Sequence, residues 1–229
     1  MKLSVALKKR NAKIEEGLAE ELRPTSVYQD AFRLCCSILH LYFYILIIKF
    51  LGFTIRLLFL LTIETFTVNT TYFLLTTINS LINKLYNNKE KNFYIVKQCN
   101  LNTLYRLGFT ASVVVTIMYW GIYMHNPNML GENELPMYFD FFIHGGTLII
   151  MTIDRIIIDR NHRYEARIKS RTLFYITIFY FIMIYSVYIF SGLAVYPLIA
   201  KLTFIQLIIL SIVGYSLFLI GNFIYLLLM

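Results

Sequence analysis

Six runs of predominantly apolar residues, each long enough to cross a bilayer, constrain this chain more than any other feature. They cover residues 31–52, 55–81, 101–124, 138–158, 172–195 and 202–229. A hydrocarbon core about 30 Å thick needs roughly 20 helical residues to span it. In lipid, only α-helices and closed β-barrels satisfy every backbone N–H and C=O. None of the runs shows the alternation with period two that a barrel strand requires. The expected fold is all-α, an integral membrane bundle of six transmembrane helices. With 58% of its 229 residues hydrophobic, the chain falls outside the soluble globular class.

The basic residues give the bundle a direction. Six Lys or Arg lie in residues 1–30, four in 82–100 (Lys84, Lys89, Lys91 and Lys97) and six in 155–171, whereas residues 125–137 hold none. The second polar connection holds only Lys49 and Arg56 at its edges, and Lys201 stands alone. Basic residues accumulate on the cytoplasmic side of membrane proteins, so the first, third and fifth polar segments are cytoplasmic and both termini lie inside. Residues 1–30 then form a cytoplasmic N-terminal segment, and residues 31–229 the transmembrane domain. Leu7, Ile14, Leu18 and Leu22 share one helical face before Pro24. That pattern fits either a short amphipathic helix on the membrane surface or a solvated tail. The polar start lacks the apolar region of a cleavable signal, so the first span is expected to act as the signal anchor.

Several function classes drop out. The formal net charge of +8 flanks membrane spans and serves orientation and attraction to anionic headgroups, not nucleic acid. The three cysteines, Cys35, Cys36 and Cys99, are too few for a disulfide framework. They read as inert thiols, with palmitoylation as the alternative. His40, His125, His144 and His162 form no His-x-x-His or His-x-x-x-His pair, so no metal site is expected. Nor does the sequence carry a phosphate-cradling glycine loop or a Gly-x-Ser-x-Gly elbow. No cofactor is expected.

Polar residues within the spans are costly and therefore point to function. In the fourth run Asp140, His144, Thr147, Met151 and Asp154 recur at spacings of four, three, four and three, one face of a helix. Phe141, Phe142, Leu148, Ile149 and Ile156 fall on the other faces. Asp154 and Arg155 are expected at the cytoplasmic headgroup level. The second run carries Thr62, Thr65, Asn69 and Thr76 on one face, with Glu64 roughly opposite. Counted from the expected span starts, Thr62 and His144 both lie roughly 10 Å below the non-cytoplasmic face. A hydroxyl beside an imidazole is a minimal nucleophile and base. Read alone, each residue also fits a structural role: membrane threonines bond the carbonyl one turn back, and a histidine can simply tie two helices.

Three segments resemble a known family, the androgen-induced gene 1 and androgen-dependent TFPI-regulating proteins, which are six-span membrane hydrolases. These are Leu61-Thr62 with the polar-spotted span that follows, His144 through Leu148 to Asp154, and Ser191-Gly192-Leu193-Ala194-Val195-Tyr196-Pro197. The third is similar to the family's Thr/Ser-Gly-x-x-Val-Tyr-Pro turn and is the most specific. The resemblance implies a threonine nucleophile falling on Thr62 and a histidine base falling on His144. The substrates implied are membrane-borne long-chain fatty esters of hydroxy fatty acids, and the location the endoplasmic reticulum membrane. Asp140, one turn before His144, is a candidate to orient the imidazole, and Asn69 and Tyr196 are candidate oxyanion donors. Family members carry Asn-His where this chain has Asp140-Phe141. A non-catalytic lipid-binding or assembly protein and a small transporter are the alternative readings.

Overall fold

The computed structural model describes residues 27–51, 60–86, 96, 98–126, 136–157, 170–192 and 195–228. Among these the regular structure is helical: α1 (Val27–Leu51), α2 (Leu61–Tyr86), α3 (Gln98–His125), α4 (Met137–Phe141), a π-helical segment (Phe142–Gly146), α5 (Thr147–Ile157), α6 (Ser170–Ser191), α7 (Pro197–Lys201) and α8 (Phe204–Leu227). The π segment joins α4 to α5 as one continuous rod. The segment 1–26, with its expected amphipathic helix, lies outside the described residues, as does the start of the second apolar run.

Among the described residues, four helices are long and apolar enough to cross a membrane: Val27–Phe50, Asn100–His125, Arg171–Ser191 and Phe204–Leu227. The surface agrees with a membrane protein. Phe179, Ile182, Phe190, Ile205, Ile209 and Ile212 are exposed, while Arg33, His40, Thr65, Asn69, Thr77 and Arg106 are buried. That inversion suits a solvent of lipid tails, which accepts apolar side chains and penalises polar ones. α2 runs 26 residues but is more polar. Its threonines absorb that polarity locally: Thr67, Thr70 and Thr76 donate to the carbonyls of Ile63, Phe66 and Tyr72 at 2.7, 2.7 and 2.9 Å.

Helix order follows from packing. α2 lies between α1 and α3, α3 meets α8 on its other side, and α8 carries α6. The π segment and α5 rest on α3, with further contacts to α2 and α1 respectively. The start of α1 is tied to the end of α2 by Lys84 and Asp30 at 2.6 Å, the antiparallel arrangement expected of consecutive spans. α2 and α3 approach closely because Gly108 has no side chain: a Cβ there would collide with Asn69 Oδ1. α8 starts in a capping box, with Thr203 N donating to Gln206 Oε1 at 2.8 Å and Gln206 N to Thr203 Oγ1 at 3.4 Å. Such a box satisfies N–H groups that the first helical turn leaves without partners.

Candidate active site

His144 sits in the middle of the π segment, where the fourth apolar run departs from a regular helix. Gly145 and Gly146 follow it directly, and glycine weakens the preference for α geometry. The backbone N–H of Thr147 bonds Phe142 O, and Thr147 Oγ1 donates to the same oxygen at 3.1 Å. One residue is thereby inserted into the turn, a feature that recurs at functional sites. The insertion changes which side chains face inward. Phe142, expected on an outer face, is buried and stacks on Phe43 with ring centroids 3.7 Å apart. Ile149 and Ile156 remain outside. The widened turn lets Phe142 and His144 both point into the bundle.

The imidazole is held on two sides. Tyr119 of α3 stacks on it at 3.4 Å between centroids and 8° between planes. Nδ1 lies 3.0 Å from the backbone oxygen of Asp140. A carbonyl only accepts, so Nδ1 carries the proton and Nε2 keeps its lone pair. The Asp140 carboxylate is 3.8 Å from Nδ1 and 21% exposed, too far for a hydrogen bond. Asp140 therefore meets the ring through its main chain, while its carboxylate engages Tyr119, the residue stacked on the imidazole.

His144 borders a narrow crevice between α2, α3 and the rod, with Thr65, Phe66, Ser112, Thr147 and Leu148 among its walls. Two of these hydroxyls are committed: Thr147 to Phe142 O, and Ser112 to Gly108 O at 2.8 Å. Thr65 differs. Its Oγ1 is buried and meets no hydrogen-bond partner among the described residues, although an unmade hydrogen bond costs about 1–3 kcal/mol.

Thr62 lies one turn earlier on the same face of α2, half-buried. Because α2 begins at Leu61, Thr62 falls in its first turn and not deeper, as the apolar run suggested. That turn is held from α6 and the turn after it. Leu61 N donates to Tyr196 OH at 2.8 Å and to Tyr180 OH at 3.1 Å, and the two phenols are 3.1 Å apart. Gly192, at φ +67°, ends α6, and Pro197 occupies the first turn of α7. The Gly-x-x-Val-Tyr-Pro motif is thus the device that brings Tyr196 to the start of α2, at the residue before Thr62. Asn69 is buried deeper and donates from Nδ2 to Ser112 Oγ at 2.8 Å. The amide N–H and the phenol considered as oxyanion donors already serve helix packing and a helix start.

The comparison with known families bears on these same segments. The model of the FAR-17a/AIG1-like protein family matches residues 34–229. The chain belongs to the FAR-17a/AIG1-like family. No curated protein and no solved structure matches it. The match covers α2, the His144 segment and the Val195-Tyr196-Pro197 turn, the three places where the resemblance was read.

This FAR-17a/AIG1-like chain also holds a polar centre that sequence reasoning missed. Asp154 is 1% exposed. Arg33 Nε donates to its Oδ1 at 3.1 Å and Tyr72 OH to its Oδ2 at 2.7 Å. Three helices converge on one carboxylate, which explains why a charge is tolerated there. The available signal was that Arg33 and Asp154 both fall within apolar runs and need each other. His40 was likewise considered only as an absent metal ligand. It is fully buried against Phe66, Phe73 and Phe142, with Nδ1 2.8 Å from Cys36 O.

Proposed function

We propose that this protein is an intramembrane hydrolase of lipid esters, with Thr62 as nucleophile and His144 as general base. The carrying observation is the imidazole itself. It is buried, stacked, fixed through Nδ1 and placed on a π turn, with Nε2 left to accept a proton. Thr62 Oγ attacks the ester carbonyl carbon while His144 Nε2 takes its proton, and the carbonyl π pair moves onto oxygen. Collapse breaks the bond to the alkoxy oxygen, which leaves as an alcohol with the proton from His144. Water activated by the same imidazole then releases the fatty acid and restores Thr62.

A site within the apolar bundle suits a substrate that arrives from the bilayer. The crevice is too narrow to hold a water molecule as it stands, so a substrate has to part α2 from the rod to enter between Thr65 and His144. The favoured substrates are long-chain fatty esters, of the kind in which a fatty acid is esterified to a hydroxy fatty acid. Six spans, cytoplasmic termini and residence in the endoplasmic reticulum membrane complete the reading. In sealed microsomes, tags at Met1 and Met229 should both be digested by external protease; protection of either would reverse the orientation.

The decisive measurement is turnover of a long-chain fatty ester by purified protein in liposomes, paired with labelling by an alkyl fluorophosphonate. Thr62→Ala and His144→Ala should each lower kcat by about 10³-fold or more, and the double variant should be hardly worse, because a nucleophile and its base act as a unit. Labelling should disappear with Thr62→Ala. Full turnover by Thr62→Ala would reduce the threonine to a packing residue and leave a lipid-binding or assembly role in the lead.

A further inference from the structure

The attack on an ester leaves a negative charge on the former carbonyl oxygen, and that charge needs a donor inside the apolar bundle. Both groups suggested by the sequence already hold hydrogen bonds: Asn69 gives an amide N–H to Ser112 Oγ, and the Tyr196 hydroxyl accepts from Leu61 N and pairs with Tyr180 OH. Thr65 has what they lack. It is 5% exposed, shares the crevice with His144, and its Oγ1 meets no partner among the described residues. On the same helix Thr67, Thr70, Thr71 and Thr76 all donate one turn back. Thr65 makes no such bond, so its proton can be turned to another acceptor.

The spacing also fits. Residues three apart on a helix have Cβ atoms about 5–6 Å apart. A carbonyl carbon held about 3–3.5 Å from Thr62 Oγ, with its oxygen a further ~1.2 Å away, brings that oxygen within reach of a donor one turn along. We propose that the Thr65 hydroxyl is the oxyanion donor of this site, a role that rests on the Thr62–His144 reading. Thr62 forms the new C–O bond, His144 moves the proton, and Thr65 donates a hydrogen bond to the oxygen that gains the electron pair. No group beyond ester and water is consumed. α2 then supplies both nucleophile and donor, and α3 and the rod close the crevice at Thr65.

The test compares Thr65→Val with Thr65→Ser in purified protein, measuring kcat and KM on one long-chain fatty ester and fluorophosphonate labelling of Thr62. Loss of a single oxyanion donor lowers kcat by about 10²–10³-fold. Thr65→Val, which replaces the hydroxyl by a methyl, should show that loss with KM nearly unchanged and slower labelling. Thr65→Ser keeps the hydroxyl and should stay within roughly threefold of wild type, since the transition-state interaction survives. Wild-type turnover by Thr65→Val would overturn the proposal. So would a Thr65→Ser enzyme as slow as Thr65→Val, because the loss would then belong to packing. Should Thr65→Val fail to fold, Thr65→Ala takes its place with the same expectations. Activity surviving Thr62→Ala would instead remove the reading beneath it, whatever the Thr65 variants do.

Discussion

Asp154 and His144 stand on the same rod, roughly 15 Å apart along the helix axis, and the bundle treats them in opposite ways. Around Asp154 the carboxylate is satisfied: both oxygens are used, by Arg33 and by Tyr72, and Tyr105 OH donates to Met151 O at 2.6 Å nearby. Around His144 the matching stops short. Nδ1 is fixed, while Nε2 is left to accept, and Thr65 Oγ1 has no partner among the described residues. A satisfied buried network locks helices together; a network with spare capacity has something left to offer a substrate. The contrast separates a structural tie from a candidate site better than burial does, since both are buried.

The strongest way to break this comparison is at the tie. Asp154→Ala leaves the Arg33 guanidinium buried without its anion, a change that costs about 3–5 kcal/mol. Thermal unfolding in detergent should show a large fall in Tm, while the surviving folded protein keeps its kcat. His144→Ala should show the reverse pattern, with activity lost and Tm much less affected. If Asp154→Ala abolished turnover without lowering Tm, the Arg33–Tyr72–Asp154 centre would belong to the chemistry, and the division drawn here would be wrong.

A smaller effect sharpens the other end. The Asp140 carboxylate lies 3.8 Å from His144 Nδ1, whereas its backbone oxygen lies at 3.0 Å. Asp140→Asn retains the backbone contact, so kcat should stay within about tenfold of wild type. A triad that loses its orienting carboxylate drops by about 10⁴. A loss of that size in Asp140→Asn would show that the side chain closes on the imidazole when substrate binds.

Much of the helix layout was legible because apolar length is a one-dimensional property. The runs at 101–124 and 138–158 reappear as Gln98–His125 and the rod Met137–Ile157. The second run is helical from Leu61 onward, and its expected start lies outside the described residues. Of the site, His144 and Thr147 were read on the inward face, and both are buried. Phe142 was assigned outward because a spacing of 3.6 residues per turn was assumed through a turn that holds an extra residue. Tyr180 carried no local signal at all; its role exists only where α6 meets the start of α2.

By itself, the sequence determined that the chain packs as helices in lipid and which polar residues had to be hidden, because burying a backbone or a charge in hydrocarbon has few solutions. It also carried the family's motifs. Only the tertiary structure decided which hidden groups satisfy one another. Arg33 meets Asp154 across 121 positions, and Tyr196 meets Leu61 across 135. The tertiary structure also decided which groups remain uncommitted. Hydrogen bonds are local in space and not in sequence, so the tie at Asp154 and the open hydroxyl of Thr65 become distinguishable only once the helices are side by side.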